Sequence, residues 1–182
     1  MKKQITDVLL MVFAGILSVM GFMSCGADGE DILNEDKIIS NYISTLSDNY
    51  ISTSTENGVS RVLFSRGDET KRIERGDSVY FYYVASYLRG SSAVTYDTNV
   101  LEVAKEMGID TESRDFFPLG VIANEGKVIK GLDVGLLMCY MGEHSSLIFN
   151  SQLAYGSDPI GIVPPSTPIV FEIQIVKIKK NQ

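Results

Sequence analysis

The sequence is poor in the residues on which most enzymes rely for chemistry. It has no tryptophan, one histidine and two cysteines in 182 residues. Lipidation of Cys25, predicted below, would leave Cys139 as the only other thiol, so no disulfide framework is expected. The chain has no GxSxG motif, phosphate-binding loop or cluster of metal ligands. We therefore expect neither a cofactor nor a metal. The single histidine, His144, is predicted to lie on a surface strand, and Cys139 is predicted to be a small core residue.

Positive charge is also scarce. The chain carries 16 lysines and arginines against 23 aspartates and glutamates, a net charge of -7, and it has no basic stripe. An acidic protein repels phosphate backbones and anionic lipid headgroups, so nucleic acid is excluded as a partner. At this length, with 45% hydrophobic residues, we expect one well-buried domain.

The N-terminus is typical of a secreted protein. Lys2 and Lys3 precede an apolar run from Val8 to Met23, which glycines interrupt. The run is shorter than the ~20 residues of a bilayer span, which favours a signal peptide over residues 1–24 rather than an uncleaved anchor. The segment FMSC resembles a lipobox, which implies a diacylglycerol on Cys25. These features predict a lipid-anchored protein of the cell envelope, at the outer membrane or the periplasmic face.

Residues 25–57 are predicted to connect this anchor to the fold. The small and acidic stretch after Cys25 is typical of a flexible spacer. Residues 36–47 carry Ile39, Tyr42, Ile43 and Leu46 at helical spacing, which predicts an amphipathic helix. Its apolar stripe docks either on its own domain or on a dimer partner or client. The polar stretch LSDNYISTSTENG is predicted to be a linker.

Residues 58–180 combine strand and helix patterns. GVSRVLFSRG and DSVYFYYVASYL alternate like antiparallel strands on either side of a charged turn, and HSSLIFN and the C-terminal PIVFEIQIVKI predict two more strands. Residues 98–108 have helical spacing, with Asn99 and Glu102 as a capping box and Gly108 as the stop. KVIKGLDVGLLMCYMGE has a second helical face, which includes Tyr140. One sheet packed on a helix is an α+β fold.

Seven motifs in this region carry a family resemblance. In chain order they are GDSVYFYYVASYLRG, YDTN, PLG, KVIKGLDVGL, MGE, LAYGSDPIGIVPP and PIVFEIQIVKI. In order and spacing they resemble the FKBP-type peptidyl-prolyl isomerases over residues 58–180. The resemblance implies a half-wrapped antiparallel sheet around a short helix, with an apolar cleft for a proline ring between them. We expect the helix at 98–108 to be an insertion near that cleft, in addition to the N-terminal helix.

The resemblance also implies roles for individual residues. Tyr83 and Phe171 match aromatic walls, Asp97 matches the cleft carboxylate after the aromatic Tyr96, and Tyr155 matches the tyrosine that bonds a substrate carbonyl. Further substrate contacts are implied at Phe117, Val128, Ile129, Leu132, Ile162 and Val163, with the last two on the rim of the loop. Leu132 stands where the family usually has tryptophan. Whether Asp115 or Phe116 faces the cleft stays open.

These features predict an isomerase of X-Pro bonds that assists the folding of proline-containing unfolded or envelope proteins. Rotation about an amide needs neither a nucleophile nor proton transfer, which agrees with the scarcity of such groups. The alternative is a catalytically weak or inactive binding module that holds a partner protein in the envelope. Leu132 and the long stretch between Asp97 and Phe117 favour this alternative.

Overall fold

A computed structural model describes residues 27–46, 49–109 and 111–181. The predicted signal peptide and Cys25 lie outside the described residues. The chain divides into two compact units, residues 1–33 and 34–182. Within the described ranges, no helix combines the length and the apolar character needed to cross a bilayer.

The N-terminal helix α1 spans Ala27–Thr45 and begins well before the predicted residue 36. The interpretation of its first part as a flexible spacer was wrong, because these residues are already helical. Acidic residues are typical of a spacer, but the helix macrodipole also favours them near a helix N-terminus. In the second unit, the face of α1 that contains Ile39 and Tyr42 packs on the outer side of the sheet. There it contacts a small buried cluster made of Val62, Leu88, Ile148 and Val170. Docking on its own domain is therefore confirmed.

The described residues form two antiparallel sheets. Their strands are β1 Ser52–Glu56, β2 Val59–Ser65, β3 Asp68–Arg72, β4 Ser78–Arg89, β5 Ser92–Thr98, β6 Leu119–Ile122, β7 Tyr140–Met141, β8 His144–Phe149 and β9 Ile169–Lys179. The main sheet has the strand order β1-β2-β8-β9-β4-β5, with β6 also paired to β4, and a second, two-stranded sheet joins β3 to β7. The α+β class is as predicted.

Two strands lie where none was predicted. β1 occupies part of the predicted linker and pairs with β2 through a turn at Asn57 and Gly58, which have φ values of 51° and 79°. The sheet therefore begins at Ser52 rather than at residue 58. β3 lies within the predicted charged turn. Both strands are mostly exposed edge strands, so they lack the apolar alternation that reveals a packed strand.

The inner face of the sheet forms the core. Along β9, Ile169, Phe171, Ile173 and Ile175 are buried, whereas Glu172 and Gln174 are not, as predicted. The short helix α3, Lys130–Gly135, packs against this face. It continues as a 3₁₀ turn at Leu136–Met138, so Tyr140 lies in β7 and not on the predicted helical face. His144 opens β8 with a partly exposed side chain, as predicted.

The stretch between β5 and β6 contains the predicted inserted helix, α2, at Leu101–Glu106. Gly108 follows it with a φ of 70°, the left-handed conformation of a helix stop. The predicted capping box was wrong, because no side chain caps the helix. Instead, the side-chain amide of Asn99 accepts a hydrogen bond from the Tyr83 N–H at 2.6 Å through its oxygen. Its nitrogen donates to the backbone carbonyls of Phe81 and Phe117.

Candidate active site

Two aromatic walls meet on the inner face of the sheet. Tyr83 on β4 and Phe171 on β9 lie on neighbouring strands with the same side-chain direction, and their ring centroids are 5.7 Å apart. Phe149 on β8 stacks on Phe171 with a centroid distance of 6.3 Å. Leu132 on α3 is buried in the same cluster. These side chains form an apolar surface from which water is largely excluded.

A polar group borders this apolar surface. The Tyr83 hydroxyl donates a hydrogen bond of 2.6 Å to the Asp97 carboxylate. The Arg114 guanidinium donates to the other Asp97 oxygen at 2.8 Å and to the Tyr83 hydroxyl oxygen at 3.4 Å. Burial, followed by the bond to Asp97, raises the pKa of Tyr83 to about 12, while Arg114 opposes this shift. The phenol therefore remains neutral while a charged pair holds its orientation.

A second pair of hydroxyl groups comes from Tyr96 on β5 and Tyr155 in the loop before β9. Their oxygens are 3.0 Å apart, and their rings meet edge to face at 6.3 Å. Burial and the bond to Tyr155 raise the pKa of Tyr96, so its hydroxyl also stays neutral. Each tyrosine hydroxyl has one hydrogen to donate. When one hydroxyl donates to the other, one O–H hydrogen remains available to a ligand.

The segment before α3 carries the predicted contacts Val128 and Ile129. Both are partly buried and pack against the core cluster, and the Ile129 carbonyl accepts the Asp133 N–H at 3.0 Å. The Asp133 carboxylate accepts the N–H groups of Asn124 and Gly126, both at 2.7 Å. A buried carboxylate on α3 therefore fixes the turn that leads into these contacts.

Other predicted contacts lie elsewhere. The Phe117 side chain is 72% exposed, so the structure does not bring it together with Tyr83 and Phe171. Ile162 is 65% exposed on the loop, whereas Val163 is 2% exposed and belongs to the core cluster. The prediction of Val163 as a rim residue was wrong, because its side chain is buried in the core while its N–H and carbonyl pair with Ile160.

The sequence leaves open whether Asp115 or Phe116 faces the cleft, and the structure places neither beside Tyr83 and Phe171. Asp115 is exposed, and the Phe116 ring lies under the Arg114 guanidinium at 5.7 Å. Phe116 lines a shallow depression of about 330 Å³ together with Tyr82 and three residues at the start of the insertion, Val100, Leu101 and Glu102. Tyr82 alternates with Tyr83 along β4, so this depression is separate from the aromatic cluster.

Arg114 is a residue of this polar group that the sequence interpretation missed. It lies in the insertion, where no spacing rule connects it to Asp97, and a lone arginine there is usually solvated. Its one available signal was charge, because Asp97 on a strand beside aromatic residues needs a cationic partner. Within the described residues, no group of three or more His, Cys, Asp or Glu side chains could hold a metal.

Fold and site together define a class: a half-wrapped antiparallel sheet that closes on a short helix, with aromatic walls and hydroxyl groups in between. Residues 69–176, more than half of the chain, match the family described as FKBP-type peptidyl-prolyl cis-trans isomerase. The chain belongs to this family of enzymes.

Named relatives agree with this assignment. The FK506-binding protein 1A of Neurospora crassa is 32% identical over 117 residues, which cover 64% of this chain and 84% of that protein. The peptidyl-prolyl cis-trans isomerase FPR2 of Saccharomyces cerevisiae is 34% identical over 105 residues, 57% of this chain and 67% of that protein. The FK506-binding protein 5 of Dictyostelium discoideum is 29% identical over 116 residues, but the match spans 6% of its length.

Proposed function

We propose that this protein catalyses the cis–trans isomerisation of X-Pro peptide bonds in proteins outside the cytoplasm and assists their folding. The observation that carries the proposal is the juxtaposition of the Tyr83–Phe171 walls with the hydrogen-bonded group of Tyr83, Asp97 and Arg114. Membership of the isomerase family supports it, as does the name of the yeast relative.

The physical argument concerns a twisted amide. Isomerisation has a barrier of about 18–20 kcal/mol because rotation breaks the amide resonance. A twisted amide has less charge separation than a planar one, so an apolar surface that excludes water favours the transition state over the ground state. A thousandfold acceleration requires about 4 kcal/mol. Aromatic contacts with the proline ring and one or two hydrogen bonds are sufficient for this.

Fixed donors supply those hydrogen bonds. The carbonyl before the proline changes direction during rotation, so a donor held in place by the protein can stabilise its rotated position. The Tyr96–Tyr155 pair has one O–H hydrogen to offer, and a donor hydroxyl that itself accepts a bond is polarised by it. We assign the contact with the substrate carbonyl to Tyr155, while Tyr83 and Asp97 shape the opposite wall.

A coupled proline-isomerisation assay on the full chain in mild detergent tests the activity. We expect wild type to accelerate isomerisation in proportion to its concentration. Tyr155→Phe should lower kcat/KM about tenfold, which corresponds to about 1.4 kcal/mol of lost stabilisation, and Asp97→Ala should lower it further. Thermal unfolding of each variant controls for loss of fold. A wild-type rate equal to the spontaneous rate refutes catalysis.

Leu132 supports a second candidate, a binding module without catalysis. Leu132 stands in place of the tryptophan expected from the family pattern, and we expect this smaller side chain to hold a proline ring less closely. Several relatives are named as FK506-binding proteins, so this compound is a suitable probe. Saturable binding of FK506 or a proline peptide without any acceleration would favour the binding module over the isomerase.

The cellular location is proposed from the N-terminal sequence. Two lysines, an apolar run and the FMSC segment support cleavage before Cys25 and lipidation of its thiol. Metabolic labelling with a radioactive fatty acid tests this, with Cys25→Ser as the control. Label in wild type and not in the variant is the expected result, and equal labelling of both contradicts it.

A further inference from the structure

A carboxylate lies on the buried face of α1. Glu35 precedes Ile39 by one helical turn, so the two side chains point to the same side of the helix. Glu35 is 2% exposed. Its two oxygens accept hydrogen bonds from the N–H and the hydroxyl of Ser151, both at 2.6 Å. The buried carboxylate is thus bonded twice to a single residue outside its own helix.

Ser151 begins the loop that carries Tyr155. It starts a 3₁₀ turn at Ser151–Leu153, and its carbonyl accepts the N–H groups of Ala154 at 2.9 Å and of Gly156 at 2.8 Å. These two amides flank Tyr155 in the sequence. The backbone on both sides of Tyr155 is therefore anchored to Ser151, and Ser151 is anchored to Glu35.

We infer that Glu35 is a positioning residue for Tyr155. Through Ser151 it sets the place of the loop, so that the Tyr155 hydroxyl meets that of Tyr96 at the cleft. This inference rests on the proposed isomerase function for its effect on rate. Glu35 precedes the family match at residues 69–176, so α1 is an element outside that match that acts on the site.

Packing alone does not account for a carboxylate at this position. α1 already docks through Ile39 and a set of partly buried neighbours, Ile38, Tyr42, Ile43 and Leu46. Burying a carboxylate among apolar groups is costly unless strong hydrogen bonds compensate, and an apolar side chain would serve docking equally well. The Glu35 carboxylate instead accepts hydrogen bonds from Ser151. The Ser151 N–H lies at the start of a turn and has no partner within the turn itself.

The test compares Glu35 variants in the full chain. Glu35→Ala should lower kcat/KM for X-Pro isomerisation about fivefold to tenfold, mainly through kcat. Glu35→Gln should retain at least half of the wild-type value, because its amide can accept from the Ser151 N–H and donate to the Ser151 hydroxyl. In a Tyr155→Phe background, Glu35→Ala should change kcat/KM by less than twofold, since it acts through the missing hydroxyl.

Two controls separate positioning from general destabilisation. Asp36→Asn removes a neighbouring exposed carboxylate and should leave kcat/KM unchanged. Val79→Ala removes fully buried methyl groups on β4 and should lower Tm without lowering kcat/KM to a similar extent. Full activity in a folded Glu35→Ala variant, or an equal loss with and without the Tyr155 hydroxyl, would overturn the inference.

A readout without activity keeps this inference distinct from the proposed function. Hydrogen exchange at the Ala154 and Gly156 amides should accelerate at least tenfold in Glu35→Ala and remain near wild type in Glu35→Gln. If wild type proves inactive but these amides respond, the isomerase proposal fails while the positioning of the loop stands. If they do not respond, the positioning inference fails whatever the activity.

Discussion

Tyr83 shows how one side chain can serve both the core and the site. Its ring packs against Phe171 with 9% of the residue exposed, while its hydroxyl bonds the Asp97–Arg114 ion pair. The ion pair is more than one-third exposed on both sides, so it contributes little stability by itself. The ion pair holds the phenol in one direction. In the proposed isomerase, this would make Tyr83 a preorganised wall for the proline ring.

The raised pKa of Tyr83 predicts a pH dependence. Its folded-state pKa of about 12 exceeds the ordinary value of 10, so the protonated phenol is favoured by folding. This contribution to stability is fully present below about pH 10 and is lost as the pH rises through about 12. With ring-labelled tyrosine, the ring-carbon resonance assigned to Tyr83 should titrate near pH 12 by NMR.

Two variants check the causes of this shift. Tyr83→Phe should remove the assigned resonance. Asp97→Asn should lower the pKa of Tyr83, because the carboxylate charge opposes the tyrosinate, but burial should keep it above 10. A Tyr83 pKa near 10 in wild type would contradict the buried hydrogen bond.

Asn99 acts at the scale of elements, because it closes the gap where β4 changes partners. β6 pairs with β4 up to Phe81, and β5 pairs with it from Val84 onward. Between these two pairings, the side-chain amide of Asn99 accepts from the Tyr83 N–H and donates to the Phe81 carbonyl. The side chain thus makes the hydrogen bonds that the backbone of a neighbouring strand would make. The insertion containing α2 therefore leaves the sheet without interrupting its hydrogen bonding.

Substituting this bridge should destabilise the fold. Asn99→Leu leaves the buried Tyr83 N–H without its partner, which costs about 1–3 kcal/mol in the free energy of unfolding. Denaturant unfolding should show this loss, and hydrogen exchange should accelerate at the Tyr83 amide. Asn49→Ala, at an exposed position, is the control and should change stability by less than about 0.5 kcal/mol. Equal stability of the two variants would argue against the bridge.

The close approach of α3 to the sheet depends on Gly131. A Cβ atom built at this residue would overlap the Phe149 ring, which stacks on Phe171. Alanine favours a helix over glycine by about 1 kcal/mol, but overpacking in a core costs about 1–3 kcal/mol. Gly131→Ala should therefore lower Tm and shift the Phe171 ring resonances.

A helix-propensity control is available in the same element. Lys130→Ala changes an exposed residue at the start of α3 and should leave Tm within a few degrees of wild type. If Gly131→Ala raised Tm instead, the contact between α3 and Phe149 would not limit the size of this residue.

At the scale of the whole molecule, Cys139 reports on opening of the core. Its side chain is fully buried beside Ser145 and the backbone of α3, and burial raises the pKa of the thiol well above its ordinary value. In a Cys25→Ser variant, a thiol reagent should react with Cys139 only as fast as the protein unfolds. Rates should rise steeply with denaturant. Rapid labelling of the native protein would contradict the burial.

Much of the fold could be predicted because each of its central elements buries one apolar face. The alternation along β4 and β9 and the helical spacing of Ile39 and Tyr42 follow directly from burial. Edge strands β1 and β3 could not be found this way, since their side chains face water on both sides. Their positions depend on hydrogen bonding to β2 and β7, which leaves little trace in composition.

The site could be predicted only where a motif fixes a residue. The structure places Tyr83 against Phe171 and Tyr96 against Tyr155, while the roles of these four residues toward a substrate stay predictions. Asn99 and Glu35 were out of reach because polar side chains with long-range partners have no periodic signal. Asn99 fits a capping box equally well in sequence, and only the sheet geometry decides otherwise.

The most direct measurement of the central claim is exchange between the cis and trans resonances of a Leu-Pro peptide at equilibrium. A catalytic amount of the full chain is added, and NMR exchange spectroscopy records the interconversion, with Asp97→Ala for comparison. The proposed isomerase function predicts cis–trans cross-peaks in the presence of wild type and much weaker ones with the variant. Peptide binding by wild type without cross-peaks above the spontaneous level would contradict the account.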